Sequence, residues 1–264
     1  MSANYQGKRG IASKMTKTEL LLRSEELTKH IPTTHWLGLK ELTTLMDRHR
    51  MVYVKPDRGS KGIGVMRVKK TSNGYELRGG TRTFKFSSLA GLFRSLQVRI
   101  GDTPYLVQKG IHALKQEGRP YDFRVMIQRN SNRKWECTGT AARVAHPDKI
   151  VSNGSQGGTI YSPARLLVPV CGEAEFKQLQ EKMNRLALLT AAELSKKYPQ
   201  LNELGLDLAV DKKLKPWILE VNTRPDPCPF TKLDDPTIIR RIVQYAKGYG
   251  RHYTLNCNKA KKAP

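Results

Sequence analysis

Two apolar segments near the C-terminal end of the chain place the tightest limit on its fold. Residues 204–211 and 216–225 are β-rich, and a short polar turn joins them into a hairpin. Alternate residues of a strand share a face, so Glu220 and Asn222 lie together, and pairing across the turn brings Asp207 near them. Buried carboxylates are costly unless they are paired or bind metal. An oxygen set of this kind suits Mg²⁺, which takes one or two carboxylates plus phosphates.

A glycine-rich segment, KPDRGSKGIG at residues 55–64, follows a β-rich run. Its glycines allow positive φ, so backbone N–H groups can converge on an anion, and Lys55 and Lys61 add positive charge. A β-rich run follows where a Walker A loop requires a helix. The pattern therefore predicts a glycine-rich hairpin over phosphates, and a plain surface loop is the alternative.

Three further patterns accompany these two. Gln108–Ile111 ends an apolar strand and offers backbone groups that can bind an adenine edge, or it is a simple strand end. Asp122 and Arg124 alternate on one strand face. Arg143, within an alanine-rich strand, is expected to project into the same cleft. A surface salt bridge is the alternative for each arginine.

The chain is strongly basic, with 47 Lys and Arg against 23 Asp and Glu and a net charge of +24. The basic residues are spread along the chain without a helix-turn-helix, zinc-finger or RNP pattern, which disfavours a nucleic-acid partner. An anionic substrate and a non-specific basic surface both remain as explanations of the charge.

Targeting and redox signals are sparse. The chain has no run of 18 apolar residues and no signal-peptide core, so neither a membrane partner nor secretion is expected. Its four cysteines are scattered without a CxxC pair, which predicts neither a zinc site nor a disulfide framework and fits a reducing, cytoplasmic location.

The order of the predicted elements indicates an α+β fold. A capping-box pattern at Thr16–Glu19 predicts the start of a helix that runs to Lys29. Neighbouring β-rich runs between residues 51 and 86 predict strands that pair locally, and apolar spacing predicts a helix over residues 173–197. The tail at residues 258–264 is expected to be disordered.

Taken in order, these motifs resemble the ATP-grasp superfamily, and most closely its YheC/YheD-like branch, which is described as spore-coat-associated. They span residues 13–230. The matching segments are Ser13-Lys14 with Pro32-Thr33-Thr34, then VKPDRGSKGIGV, LVQKGI, GRPYDFRVMIQ, TGTAARV with IVSNGSQGG, and LGLDLAV with WILEVNTRP.

The resemblance implies an ATP-grasp fold, in which two α+β subdomains clasp ATP. The expected organisation has a flexible basic leader, a subdomain with the N-terminal helices and the glycine-rich lid, a subdomain with the metal site, and a basic tail. Members of this branch usually carry a preceding N-terminal domain. Because the motifs begin at residue 13, that domain is expected to be absent here and to be supplied by a partner protein, or else the substrate is large. The four parts are residues 1–12, 13–107, 108–250 and 251–264.

The resemblance also assigns roles to residues. ATP and one or two Mg²⁺ ions are the implied cofactors. Arg124 either takes a catalytic position or braces Asp122. The implied nucleotide-binding residues are Lys14, Lys55, Arg58, Gly59, Ser60, Lys61, Gly62, Gly64, Gln108, Lys109, Gly110 and Ile111; the metal ligands are Asp207, Glu220 and Asn222; the catalytic positions are Asp122, Arg124, Arg143 and Asn153.

The implied activity is a Mg-dependent carboxylate–amine ligase that works through an acylphosphate, on peptide or amino-acid substrates that are anionic or polymeric. Two alternatives are an ATP-grasp kinase that stops after phosphoryl transfer and a non-catalytic, ATP-binding coat-associated protein. The second alternative would place the protein in the spore coat.

Overall fold

A computed structural model describes residues 10–147, 157–257 and 260–263. Helices pack on two mostly antiparallel sheets, which confirms the predicted α+β class. No helix in the described ranges is long and apolar enough to cross a membrane. The elements are α1 Lys14–Leu21, α2 Glu25–Thr28, β1 Thr34–Trp36, α3 Leu39–His49, β2 Met51–Pro56, β3 Met66–Thr71, β4 Gly74–Gly79, β5 Arg82–Phe86, α4 Leu89–Ile100, β6 Tyr105–Lys109, β7 Lys115–Gln116, β8 Arg119–Arg129, β9 Trp135–Val144, β10 Thr159–Tyr161, α5 Pro163–Lys197, β11 Glu203–Val210, β12 Pro216–Asn222, a 3-10 helix Cys228–Lys232, α6 Pro236–Gly248 and β13 Lys261–Lys262.

The first sheet has six strands in the order β1-β6-β2-β3-β4-β5. Its strands alternate apolar and polar residues, and the apolar side chains pack under α3 and α4. Helix α3 contributes Leu42, Leu45 and Met46 to this core, a spacing that puts them on one helix face. The opposite face of the sheet is therefore left open, and it forms one wall of the cleft described below.

The second sheet has the order β12-β11-β8-β9-β10-β13, and β7 pairs with β8. Helix α5 covers one face, while α6 and the 3-10 helix cover the other. Strand β11 lies in the interior of this sheet, between β12 and β8, and every one of its residues is buried. Asp207 is therefore a carboxylate in the middle of a buried strand.

Helices α1 and α2 pack their apolar side chains into the core of the second sheet, and α1 also contacts β1 of the first. Leu20, Leu21, Leu27 and Ile31 lie in the core beneath α5. We call each sheet with its helices a lobe. The packing places α1 and α2 in the second lobe and all of β6 in the first. This differs from the expected division of the two subdomains between residues 107 and 108. A local reading of the sequence has no signal for this, because the helices are far from their partners in the chain.

The start of α1 and the course of α5 differ from the predictions. Helix α1 begins at Lys14, because the Ser13 hydroxyl accepts a hydrogen bond from the Thr16 backbone N–H at 3.0 Å and caps the helix. It also ends at Leu21, and α2 follows separately. Helix α5 begins ten residues before the predicted residue 173 and is interrupted at Gly172, where φ is 79°.

The predictions for the cysteines and the tail were wrong in part. Cys228 and Cys257 form a disulfide with their Cα atoms 5.3 Å apart. Beyond it, Lys261 and Lys262 pair in parallel with Thr159 and Ile160 of β10, so residues 260–263 of the tail are ordered against the sheet. The two cysteines are 29 residues apart in the chain, and only the fold brings them together.

We expect Leu42→Ala to lower the free energy of unfolding by about 2–5 kcal/mol, because Leu42 is fully buried under the first sheet. Leu39→Ala in the same helix is the matched control, since Leu39 is 44% exposed, and its effect should stay within about 0.5 kcal/mol. Urea unfolding followed by circular dichroism measures both. Equal losses in the two variants would contradict the assignment of this helix face.

Candidate functional site

A cleft of about 990 Å³, including space open to solvent, lies between the open face of the first sheet and the edge region of the second. Strands β2 and β6 and the β2–β3 loop supply one wall, and strands β8, β11 and β12 supply the other. The residues that line it are Lys14, Tyr53, Lys55, Pro56, Gly59, Ser60, Gly62, Ile63, Val65, Gln108, Lys109, Ile111, Ala113, Pro120, Tyr121, Asp122, Asp207, Ala209, Leu219 and Glu220.

Two aspartates and two arginines form a buried network at the floor of the cleft. Arg143 donates to both carboxylate oxygens of Asp122 at 2.7 Å and lies 3.0 Å from Asp207 Oδ1. Arg124 donates to both oxygens of Asp207, at 2.6 and 3.2 Å. The pairs are cross-strand partners: Asp122 faces Arg143 on β9, and Arg124 faces Asp207 on β11. Two negative and two positive charges therefore balance across three neighbouring strands.

The network shifts the pKa values of Arg143 and Asp207 in opposite directions. Burial lowers the pKa of Arg143, but the carboxylates of Asp122 and Asp207 outweigh it and raise this pKa above its usual range. Burial raises the pKa of Asp207, and the two guanidinium groups outweigh it and hold this pKa below its usual range. Arg143 and Asp207 thus each stabilise the charged form of the other.

The arginines occupy positions that the sequence did not predict. Arg143 is 2% exposed and lies behind the cleft wall, where it holds Asp122 and Asp207, whereas we had expected it to project into the cleft. Arg124 braces Asp207 and not Asp122. Asp122 and Asp207 do line the cleft. Asn153 lies outside the described residues.

The β11–β12 hairpin has the register that the sequence predicts. Asp207 is opposite Glu220, and Gly205 is opposite Asn222, so the three oxygen-bearing side chains lie along one end of the hairpin. Asp207 already accepts three hydrogen bonds, and a carboxylate has about four lone-pair sites. Glu220 is partly exposed, and its carboxylate lies 3.7 Å from the Lys14 ammonium.

This donor set fits a magnesium ion that also binds phosphates. Within the described ranges, no three His, Cys, Asp or Glu side chains cluster closely enough to hold a metal by themselves. Two carboxylates and one amide, completed by phosphate oxygens, match the preference of Mg²⁺ for few protein ligands. Glu220 and Asn222 would be the principal ligands, and Asp207 has one lone-pair site left.

Lys55 lies at the centre of the cleft and connects its two walls. Its ammonium donates to the Gln108 side-chain oxygen at 2.9 Å and to the Leu219 carbonyl of β12 at 3.0 Å. The Gln108 amide in turn donates to the Thr34 hydroxyl at 2.9 Å, which fixes its orientation. Burial lowers the pKa of Lys55 to about 8, and the nearby Glu220 carboxylate opposes this shift.

Lys14 and Asp57 fix the root of the glycine-rich loop. The Lys14 ammonium donates to the carbonyls of Pro56 and Gly59 at 3.0 and 3.1 Å. Asp57 is buried and accepts from the Ser13 hydroxyl at 3.0 Å and the Met15 amide at 2.9 Å. The start of α1 is thereby bound to the loop. Asp57 was not singled out from the sequence, although its place inside the loop motif was a signal.

The loop between β2 and β3 has the backbone that the glycine spacing predicts. Gly59, Lys61, Gly62 and Gly64 all have positive φ, between 61° and 124°. At Gly64 a side chain is doubly excluded, because its Cβ would also lie 2.7 Å from the Tyr105 hydroxyl. Gly59, Ser60 and Gly62 line the cleft, whereas Arg58 and Lys61 are exposed.

The segment after β6 has fewer available amides than the sequence suggests. The Lys109 N–H donates to the Thr33 carbonyl at 2.8 Å, and the Gly110 N–H donates to the Met51 carbonyl at 2.9 Å. Within the described residues, no backbone acceptor is found for the Ile111 amide. An adenine edge would therefore bind at Ile111. Tyr53, missed from the sequence, lies beside this position in the cleft.

Comparison with known proteins matches residues 5–252 to a family described as YheC/D like ATP-grasp. The chain belongs to this family. It is 27% identical over 238 residues to the endospore coat-associated protein YheD of Bacillus subtilis (strain 168), and the match covers 83% of this chain and 52% of YheD. The chain thus spans about half the length of that relative.

Solved structures show the same fold at low sequence identity. The D-cycloserine synthetase DcsG has a TM-score of 0.56 at 12% identity, over 90% of this chain and 70% of DcsG. The N5-carboxyaminoimidazole synthase from Aspergillus clavatus, in complex with ADP and 5-aminoimidazole ribonucleotide, has a TM-score of 0.55 at 11% identity, over 95% of this chain and 54% of that chain. These matches confirm the ATP-grasp fold.

We expect Asp122→Asn to lower the free energy of unfolding by about 3–5 kcal/mol, because it removes one carboxylate from a buried charge network of this ATP-grasp domain. The control is Glu26→Gln, which breaks the exposed Arg185–Glu26 pair and should leave stability nearly unchanged. Chemical denaturation measures both variants. A stability loss no larger for Asp122→Asn than for the control would contradict the structural importance of the network.

The pH dependence of ligand binding follows from two buried lysines. Lys55 lies at the centre of the cleft, and Lys17 of α1 lines a side cavity next to it. Burial lowers the pKa of Lys55 and of Lys17 to about 8, so both ammonium groups lose their protons as the pH rises through that value. Phosphates are already fully ionised there, since their second pKa is about 6. We therefore expect the affinity for ADP to fall as the pH rises through 8, as measured by calorimetric titration.

The free energy of unfolding without ligand should move in the opposite direction. The unfolded lysines keep a pKa near the ordinary value of 10.5, so the unfolded chain binds more protons than the folded chain between about 8 and 10.5. Stability linked to these lysines therefore rises with pH in that window. An ADP affinity that stays flat across the same window would contradict the placement of Lys55 in the ligand site.

Proposed function

We propose that this protein is an ATP- and magnesium-dependent ligase that joins a carboxylate to an amine through an acylphosphate. The observation that carries the proposal is the cleft itself. Buried lysines, a positive-φ glycine loop and Glu220 of the β11–β12 hairpin all face one space between two lobes. Phosphoryl transfer depends on positioning and charge neutralisation, and these residue types provide both.

The nucleotide would lie along the cleft between the lobes. Its adenine would bind at Ile111 beside Tyr53, and its phosphates would extend under the loop of Gly59–Gly64 toward Glu220. Lys55 lies between the adenine position and the phosphate position. Its ammonium would donate to a phosphate after releasing the Gln108 side chain or the Leu219 carbonyl. Bound Mg²⁺ would neutralise phosphate charge and polarise the transferring group.

The reaction would proceed in two balanced steps. A carboxylate oxygen of the first substrate attacks the γ-phosphorus, the β–γ P–O bond breaks, and ADP leaves with its electron pair. An amine of the second substrate then attacks the acyl carbon, the C–O bond to phosphate breaks, and the amine loses a proton as the amide forms. The protein's groups hold the reactants and balance charge, and no covalent protein nucleophile is required.

Asp122 and Asp207 would act through the network behind the cleft floor. Arg143 and Arg124 hold both carboxylates in fixed orientations, because each guanidinium donates two hydrogen bonds to a carboxylate. We assign the two arginines to positioning and not to contact with the substrate.

The direct test is a screen for ADP release in the presence of ATP and Mg²⁺, with single amino acids and acidic peptides as substrates. Mass spectrometry of the products identifies the bond formed. A new amide supports the ligase. ADP with a phosphorylated acceptor and no amide would indicate a kinase, and nucleotide binding without turnover on any substrate would indicate a non-catalytic role.

We expect Glu220→Gln to reduce ADP release by about 10²-fold or more in a folded protein, because metal stabilisation of the transferring group amounts to several kcal/mol. The change keeps the side-chain shape and removes the charge. Glu181→Gln on the exposed face of α5 is the control and should retain wild-type turnover. An active Glu220→Gln enzyme at saturating Mg²⁺ would remove Glu220 from the metal site.

The open face of the first sheet supports an anionic substrate. Beyond Tyr53 of the cleft, the register places Arg67, Arg78, Lys69 and Lys85 on the same face. Glu76 is the one carboxylate among them, and it pairs with Arg67 at 3.1 Å. The cleft therefore opens onto a basic surface, which would attract an acidic peptide or polymer.

We expect kcat/KM for such a substrate to fall steeply from low to moderate salt, with a smaller change in kcat. Salt screens attraction beyond about 8 Å at physiological ionic strength, so it slows the encounter more than the chemistry. Matched acidic and neutral peptides assayed across a salt series provide the measurement. Equal rates with a flat salt profile would leave the basic surface without a role in catalysis.

A further inference from the structure

Lys17 is a buried lysine beside the cleft that none of the motifs includes. It lies on α1, about one helical turn after Lys14, and is 6% exposed. Its side chain lines a side cavity of about 360 Å³, including space open to solvent, next to the cleft. The cavity and the cleft share five lining residues, which are Lys14, Lys55, Gln108, Leu219 and Glu220.

The hydrogen bonding of Lys17 differs from that of the two neighbouring lysines. The Lys14 ammonium is held by loop carbonyls, and that of Lys55 by Gln108 and Leu219. Within the described part of the chain, no residue accepts a hydrogen bond from the Lys17 ammonium. A charged ammonium that lines a cavity and has no protein acceptor can donate to a ligand oxygen there.

The charges around Glu220 also leave an excess of positive charge. Lys14, Lys17 and Lys55 all act on this one carboxylate, which opposes the lowering of the pKa of Lys17 and of Lys55. The other carboxylates nearby are already satisfied, Asp207 by two arginines and Asp57 by Ser13 and Met15. A polyphosphate would balance the surplus.

We propose that Lys17 is the lysine of α1 that donates to a polyphosphate oxygen, whereas Lys14 holds the root of the glycine-rich loop. The proposal rests on the proposed function, because the polyphosphate is that of the nucleotide. The two lysines lie one turn apart on α1 and have different roles: Lys14 positions the loop, and Lys17 contacts the ligand.

The test uses three variants and one control in the full chain. Lys17→Met keeps most of the side-chain volume and removes the charge, Lys17→Arg restores a charge, and Lys14→Met removes the loop contacts. Lys29→Met is the control, because Lys29 is exposed and pairs with Glu25 on α2. The probes are ADP with Mg²⁺ and inorganic tripolyphosphate, each titrated by calorimetry. Thermal unfolding and hydrogen exchange over residues 56–64 are measured in parallel.

We expect Lys17→Met to weaken both probes by about 10- to 100-fold, the effect of losing a charged hydrogen bond. Its melting temperature should stay nearly the same, since the Lys17 ammonium makes no hydrogen bond to the described protein that the change would break, and its loop exchange should be unchanged. Lys17→Arg should recover part of the affinity. Lys14→Met should instead increase exchange over residues 56–64. A structural role for Lys17 would give the opposite pattern, with lower stability and unchanged affinity.

The outcomes separate this inference from the proposed function. Wild-type protein that binds ADP, with Lys17→Met binding equally well, overturns the inference alone. Wild-type protein that binds tripolyphosphate but not ADP, with loss in Lys17→Met, supports the anion contact and overturns the nucleotide-dependent function. Wild-type protein that binds neither probe overturns both.

Discussion

The Asp122–Arg143–Asp207–Arg124 network is the interaction on which the rest of the site depends. Its members are direct cross-strand partners on β9, β8 and β11. A slip of one residue in either pairing would turn the side chains of the shifted strand to the opposite face and leave charges buried without partners. The network therefore fixes the register of the central strands, and through β11 it also fixes the position of the β11–β12 hairpin that carries Glu220 and Asn222.

Polar contacts of buried side chains also connect the two lobes. Helix α1 packs in the core of the second lobe, yet Ser13, Lys14 and Met15 bind the root of the glycine-rich loop, which extends from the first sheet. Lys55 crosses in the other direction, from β2 to the Leu219 carbonyl of β12. Polar contacts of buried groups are directional, so they set the spacing of the cleft walls more narrowly than apolar packing does. In this ATP-grasp domain, ligand contacts in the cleft would act directly on both lobes.

Much of the site could be predicted because its signals are local. Strand alternation placed Glu220 and Asn222 on one face and brought Asp207 opposite, and glycine spacing predicted the positive-φ loop. The partners of the arginines could not be predicted, because Arg124 and Asp207 are 83 residues apart and Arg143 contacts two carboxylates on different strands. For the same reason, the contact of Asp57 with α1 and the Cys228–Cys257 disulfide had no signal in spacing.

The sequence by itself determined the order of the elements, the ATP-grasp resemblance and the types of side chain in the cleft. These follow from periodicity, turn chemistry and ordered motifs, which operate over a few residues. Only the tertiary structure decided which charges pair, which lysine is held by the loop, and that α1 and α2 pack into the core of the second sheet. The physical reason is that burial and partner geometry arise from segments far apart in the chain, and burial sets both the cost of a charge and its pKa.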